Sequence, residues 1–168
     1  MSKTRGFEEV ASQFRTAFDT FIDKEKKTEH KFPKTITLPK RADKGSAGYD
    51  FYLPKDIRVL PHETVILQSD VKAYMQEDEV LLLYVRSSLG IKKGLSLPNG
   101  TGIIDSTYYN NPSNDGNIGI ALYNNTGTTV EMKAGERVVQ GIFTKYLTAD
   151  NDEVLAEVRT GGTGSSGK

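Results

Sequence analysis

The feature that most constrains the fold is a series of short apolar segments between residues 57 and 143. These segments are rich in Val, Ile, Leu and Tyr, and they are separated by residues that favour turns. They comprise residues 57–60, 64–68, 71–74, 80–85, 118–123, 128–132 and 138–143. Many short and closely spaced strands of this kind predict an all-β sandwich or jelly roll.

Both ends of the chain differ from this central region. Apolar residues recur at helical spacing over residues 7–22, which predicts an amphipathic helix that cannot continue past Pro33. The helix would either pack on its own domain or bind another subunit or protein partner, and the pattern leaves both open. Residues 159–168 are rich in Gly and Ser and are expected to order only around a ligand. The chain therefore divides into an N-terminal segment (1–35), a β domain (36–158) and a flexible C-terminal arm (159–168).

The composition argues against several classes of protein. With 22 basic and 22 acidic residues, the chain has no long-range field that would draw it to a nucleic-acid polymer or a membrane. The absence of cysteine and the presence of only two histidines disfavour disulfides and a zinc site. The longest apolar run, residues 80–85, is too short to span a membrane, and the N-terminus lacks a signal peptide. We expect a soluble intracellular protein.

Polar residues cluster at two places in the β region without an evident packing reason. Arg86, Ser87 and Ser88 follow an apolar segment, and their guanidinium and hydroxyl groups suit phosphate oxygens. An arginine that follows a strand is more often a solvated end residue, so this motif alone is a weak indication. Asp105 follows two isoleucines, and partial burial there would make it a plausible general base. The alternative for Asp105 is an aspartate that closes a hairpin turn.

A third polar cluster lies in the C-terminal arm, where residues 162–168 match the beginning of the P-loop pattern GxxxxGK. A P-loop requires a buried strand before it and a helix after it, and no helix follows Lys168 here. We therefore reject a P-loop. The glycines and Arg159 still suit an anion, because backbone N–H groups can approach it closely.

Taken together, these stretches resemble the trimeric dUTPase family from about residue 38 to the end of the chain. The five motifs of that family occur in its order, as Ala47-Gly48-Tyr49-Asp50, residues 86–90, residues 99–108, residues 135–140 and the arm from Arg159. Within the family, the sequence is most similar to enzymes of Gram-positive bacteria and their phages.

The resemblance implies a jelly-roll fold, a homotrimer with intersubunit active sites, and hydrolysis of dUTP to dUMP and pyrophosphate. One subunit would supply motifs one, two and four, a second subunit motif three, and the third subunit motif five. Asp105 would be the general base for the water that attacks the α-phosphorus. Mg²⁺ would be bound through the triphosphate without a direct protein ligand, and Asp50 would at most reach its outer coordination sphere. The expected location is the cytoplasm of a bacterium or of an infected host cell.

The resemblance also assigns the residues that contact the substrate. They are Arg86, Ser87, Ser88, Asn99, Gly102, Ile104, Tyr108, Gln140, Arg159, Thr163, Gly164 and Ser165. The arginines, the serines of the second motif and Gln140 would bind phosphates, with Arg159 at the γ-phosphate. The hairpin before Asp105 would recognise uracil, and Tyr108 would pack on the deoxyribose and exclude a 2′-hydroxyl group.

Several positions depart from the family pattern. Where the family usually has Asp-Tyr-Arg-Gly, this sequence has Thr107-Tyr108-Tyr109-Asn110, and Asn110 can also adopt the left-handed backbone conformation of the glycine. Thr163 replaces a phenylalanine that stacks on uracil, and Arg159 lies one residue nearer the glycine pair than is usual. The predicted N-terminal helix is an addition to the family pattern.

Two other functions remain possible on this fold. A dCTP deaminase would need an acid near the base to direct water to C4, and the aspartate that follows residues 102–104 fits a pyrophosphatase better. A binding or regulatory protein would instead use the N-terminal helix to dock a protein partner.

Overall fold

The computed structural model of the chain describes residues 3–15 and 36–154. Within these residues it contains twelve β-strands, one α-helix and two short 3₁₀ helices. The strands are β1 (Gly6–Glu9), β2 (Lys40–Arg41), β3 (Tyr49–Tyr52), β4 (Ile57–Val59), β5 (Thr64–Gln68), β6 (Val71–Tyr74), β7 (Glu79–Val85), β8 (Leu95–Ser96), β9 (Gly102–Asp105), β10 (Gly119–Asn124), β11 (Val130–Met132) and β12 (Arg137–Lys145). The helix is α1 (Ser87–Lys93), and the 3₁₀ helices are Ser12–Phe14 and Ser106–Tyr108. This content confirms the predicted all-β class.

The largest sheet has five antiparallel strands in the order β2-β3-β12-β7-β9. Strand β12 pairs with β3 on one side and β7 on the other, so that Gln140 faces both Asp50 and Tyr84. Strand β9 is an edge strand of this sheet and pairs with β7, which places Asp105 opposite Val80. The sheet therefore fixes where the first, third and fourth motifs lie relative to one another.

Three smaller sheets, β5-β10-β8, β11-β4 and β1-β6, enclose the core together with the large sheet. Buried side chains alternate with more exposed ones along β4, β6, β10 and β11, as the two-residue repeat of a strand requires. The largest fully buried side chains belong to Phe51, Leu67, Leu81, Leu95, Ile118, Ile120, Leu122 and Met132. None of the helices among residues 3–15 and 36–154 is both long and apolar enough to cross a membrane.

The described N-terminal residues form a strand instead of the predicted helix. Strand β1 pairs with β6, and residues Ser12–Phe14 form only a short 3₁₀ helix. The ring of Phe7 lies 5.2–5.5 Å from the rings of Tyr49, Phe51 and Phe143. The helix prediction is wrong over residues 7–14, because contacts across the core outweigh local periodicity. The remainder of that prediction, residues 16–22, lies outside the described residues, and a partner-binding role for it stays a prediction.

All seven strands predicted from the sequence are present, with ends that differ by two residues at most. The pattern did not predict β1, β2, β3, β8, β9 or α1. These elements are short, and several contain glycine or serine residues that local propensity assigns to turns.

Candidate active site

A buried carboxylate lies at the centre of the candidate site. Asp50 on β3 is 6% exposed, and each of its oxygens is paired with an arginine. Arg86 Nε lies 2.9 Å from Asp50 Oδ1, and Arg137 Nη1 lies 3.0 Å from Asp50 Oδ2. A buried carboxylate is costly unless it is paired, so the two arginines stabilise it. In return, Asp50 fixes the direction of both guanidinium groups.

The two arginines line a cavity of about 480 Å³. Its lining residues are Tyr52, Arg86, Ser88, Leu89, Lys92, Lys93, Gly135, Glu136 and Arg137. Four of them are cations and one is an acid, Glu136, whose Oε1 lies 3.6 Å from Lys93 Nζ. An excess of positive charge beside a serine hydroxyl suits a ligand that carries phosphate groups.

The end of β7 and the start of α1 place the second motif at this cavity. Arg86 is the residue before the helix, and its extended backbone (φ −68°, ψ 141°) turns the chain from the strand into α1. Leu89 is buried and anchors the helix to the core. Ser88 lines the cavity, whereas Ser87 is exposed and is not among the lining residues.

Gln140 lies beside the buried carboxylate. It faces Asp50 across the β3–β12 pair, although it does not line the cavity. A Cβ atom at Gly48 would lie only 2.5 Å from Gln140 Oε1. A side chain at position 48 would therefore displace Gln140, which explains the glycine of the first motif in physical terms.

Asp105 lies elsewhere on the same sheet. Its side chain is exposed, so the partial burial expected from the sequence is wrong for the single chain. Asp105 is opposite Val80, and Arg86 follows Val80 by six residues along β7. At about 3.3 Å per residue, the backbones of Asp105 and Arg86 are about 20 Å apart. Within one chain, these two residues cannot reach the same phosphate group.

The segment before Asp105 connects two sheets and is not the expected hairpin, because β8 pairs with β10 whereas β9 pairs with β7. It is closely packed at Gly102 and exposed at Asn99. Ile104 packs against the core, and a Cβ atom at Gly102 would lie 3.0 Å from Leu83 Cβ. Asn99 is exposed in a turn closed by backbone hydrogen bonds within residues 97–101. The predicted uracil-binding residues therefore lie on one segment, made of this turn and strand β9.

Tyr108 is 6% exposed, so little of it is accessible in the single chain. Its hydroxyl donates to the backbone oxygen of Asn117 at 3.0 Å and accepts a hydrogen bond from Asn114 Nδ2. These bonds hold the phenol ring in one orientation. Its predicted contact with deoxyribose stays a prediction.

The chain is also similar to known proteins. A sequence model described as dUTPase matches residues 34–167. The chain belongs to the dUTPase family. The family predicted from the five motifs is thereby confirmed.

Named dUTPases resemble the chain in sequence and in structure. The deoxyuridine 5′-triphosphate nucleotidohydrolase of Lactococcus lactis is 47% identical over 133 residues, which cover 79% of this chain and 89% of the relative. The dUTPase from Streptococcus mutans superimposes with a TM-score of 0.70 at 39% identity, covering 86% of this chain and 98% of that one. The dUTPase of Staphylococcus bacteriophage 80alpha, at 20% identity and a TM-score of 0.66, covers 92% of this chain and 98% of that one and shares the fold. These comparisons do not favour a deaminase or a purely regulatory protein.

Of the five dUTPase motifs, the structure brings together the first, second and fourth and places the third apart from them. The arm residues Arg159, Thr163, Gly164 and Ser165 lie outside the described residues. Arg137 is a site residue that the sequence reasoning missed, although its motif was recognised. Its contact with Asp50 depends on the pairing of β12 with β3, which no local pattern reveals.

Proposed function

We propose that this dUTPase converts dUTP and water to dUMP and pyrophosphate at a site shared between subunits. The observation that carries the proposal is the cavity in which Asp50 orients both Arg86 and Arg137. The triphosphate would lie there, because catalysis of phosphoryl transfer consists mainly of positioning and charge neutralisation. Ser87, Ser88 and Gln140 would add polar contacts around the same phosphates.

Magnesium would enter this site on the triphosphate. Mg²⁺ usually keeps several waters and binds through substrate phosphates and few carboxylates. Both oxygens of Asp50 are paired with arginines, which fits a residue that orients cations better than a direct metal ligand. Among residues 3–15 and 36–154, no three acidic or histidine side chains are grouped so that they could hold a metal. When bound, the ion would neutralise charge on the phosphate oxygens.

Asp105 would act on a triphosphate that is bound to a neighbouring subunit. A general base must lie within about 3 Å of the water that it deprotonates. The separation of about 20 Å between Asp105 and Arg86 within one chain excludes this arrangement in a monomer. Ile103 is 64% exposed on the same face as Asp105, and a subunit interface would cover it. The resemblance to trimeric dUTPases makes the proposed assembly a homotrimer with three equivalent sites.

The base and sugar would be recognised by the third motif. The segment with Asn99, Gly102 and Ile104 would offer backbone groups to uracil, and a site built around specific hydrogen bonds rejects other bases strongly. Tyr108 would pack on the deoxyribose. The arm, with Arg159 at the γ-phosphate and Thr163, Gly164 and Ser165 after it, would close over the ligand. We place the enzyme in the cytoplasm of a bacterium or of an infected host cell.

The proposed activity is tested by incubating the purified protein separately with dUTP, dCTP, dTTP and UTP in the presence of Mg²⁺. We expect dUMP and pyrophosphate in equal amounts from dUTP, with little turnover of the other three, as measured by ion-exchange chromatography and a pyrophosphate assay. Formation of dUTP from dCTP would identify a deaminase instead. No turnover of dUTP would contradict the proposal.

A further inference from the structure

The outer face of the β1–β6 ribbon supports the loop that follows Asp105. Lys72 on β6 is central to this contact, and its side chain is 12% exposed. Its Nζ donates to Asn110 Oδ1 at 2.6 Å and to the two carboxylate oxygens of Asp115 at 2.9 and 3.0 Å. The three donors of the ammonium group can thus all be satisfied by the loop.

Tyr109 in the same loop lies against the ribbon. Its hydroxyl donates to Glu8 Oε2 at 2.5 Å, and its ring packs edge-on against Tyr74 with centroids 6.0 Å apart. Lys72 Nζ lies 5.1 Å from the centroid of the Tyr109 ring. Hydrogen bonds from Lys3 and then from Tyr109 lower the pKa of Glu8 below its ordinary value, so Glu8 accepts as a carboxylate at neutral pH. The same hydrogen bond to Glu8 raises the pKa of the Tyr109 phenol, which therefore stays protonated.

The far end of the loop is attached to the N-terminal segment. The backbone N–H of Ala11 donates to Asp115 Oδ2 at 2.8 Å. Asn110, Asp115 and Gly116 have φ values of +55°, +57° and +76°, in the left-handed region that costs energy for residues other than glycine. Such a loop needs contacts outside itself to hold one conformation, and the ribbon supplies them.

The loop is directly connected to the residues proposed to act on the substrate. The 3₁₀ helix Ser106–Tyr108 joins Asp105 to Tyr109 without further residues between them. Asn114, within the loop, donates to the hydroxyl of Tyr108. A shift of the loop would therefore move both Asp105 and Tyr108.

We propose that Lys72 is a positioning residue which, with Glu8 and Ala11 of the N-terminal segment, sets the location of Asp105 and Tyr108 through the loop 109–115. The inference rests on the proposed function of those two residues. Glu8 and Ala11 precede residues 34–167, to which the dUTPase family match is confined. The N-terminal segment thus contributes to the active site as well as to the core.

The test compares Lys72→Met with Arg58→Met, a matched loss of one cation. Arg58 pairs with Glu131 at 3.0 Å on a different sheet, β11-β4, away from the loop. We expect Lys72→Met to lower kcat for dUTP by about tenfold to a hundredfold, since small misplacements of reacting groups have effects of this size. KM should change by less than about threefold, because the proposed phosphate contacts lie elsewhere, at Arg86, on α1 and on β12. The preference for dUTP over UTP should narrow, because Tyr108 is also displaced.

Measurements are made well below the melting temperature of each variant, where a loss of stability alone does not alter kcat or the dUTP-to-UTP preference. Lys72→Arg keeps the charge and should recover part of the lost kcat and part of the lost preference for dUTP over UTP. Arg58→Met should match the wild type in both. Wild-type kcat and preference in a folded Lys72→Met protein would overturn the proposal. If Lys72→Met does not fold, Tyr109→Phe is measured instead. A narrowed preference for dUTP over UTP in that variant supports the proposal, and an unchanged preference overturns it.

Hydrogen exchange separates this inference from the proposed function. Amide exchange over residues 106–117 should become faster in Lys72→Met and remain unchanged in Arg58→Met, whether or not the protein turns over dUTP. A wild-type protein without dUTP hydrolysis would refute the proposed function alone. Unchanged exchange in Lys72→Met would refute the role of Lys72.

Discussion

Replacing Asp105 with Asn is expected to lower kcat for dUTP by about a hundredfold to ten-thousandfold, the range for loss of a general base. Asparagine has nearly the same shape as aspartate but cannot accept the proton from the attacking water. The exposed position of Asp105 means that little packing is disturbed by the change. Steady-state kinetics with dUTP and Mg²⁺ measure the effect.

The control for this variant is ligand binding. Asp105→Asn should bind a non-hydrolysable dUTP analogue about as tightly as the wild type and retain its assembly state. A kcat within a factor of about three of the wild-type value would remove Asp105 from the chemistry, since a general base contributes far more than that.

The second large effect is expected at Arg86. Arg86→Met should lower kcat/KM for dUTP by about a hundredfold to a thousandfold, as for other groups that stabilise charge in the transition state. The substitution removes a cation from the cavity and leaves Asp50 with Arg137 as its remaining arginine partner. Since Asp50 is buried, the direction of Arg137 should also become less well defined.

Arg58→Met serves again as the matched control. The side chains of Arg58 and its partner Glu131 are 54% and 60% exposed, and exposed pairs of this kind contribute about 0–1 kcal/mol to stability. Its kcat/KM should equal that of the wild type. Equal losses of activity in both arginine variants would show a general effect of charge removal and would contradict a specific role for Arg86.

The sequence predicted the family and seven of the twelve strands in the described residues, since both depend on local information. Segments such as β5 and β6 contain residues with a high preference for strands and lie between turn residues. The motif around Arg86 was recognised as phosphate-binding, and the structure places Arg86 and Ser88 at a cationic cavity.

The parts that could not be predicted depend on contacts between distant residues. Phe7 follows a helical pattern in sequence, but its ring fits between aromatic side chains from β3 and β12. Arg137 lies in the fourth motif and Lys72 in none, but the contacts of both follow from strand pairing and from the path of the loop. Asp105 was expected to be partly buried because two isoleucines precede it, yet a strand alternates its faces and Asp105 points outward.

The central claim, that Asp105 and Arg86 act together only across a subunit interface, is tested most directly by mixing inactive variants. Asp105→Asn and Arg86→Met subunits carry different affinity tags, are co-expressed in equal amounts, and are purified through both tags. Every trimer that retains both tags contains both kinds of subunit, and one of its three sites combines an intact Asp105 with an intact Arg86 from its neighbour. We therefore predict that the mixed protein recovers about a third of wild-type kcat, far above either variant alone. Activity no higher than that of the single variants would show that both residues act within one chain and would contradict a site shared between subunits.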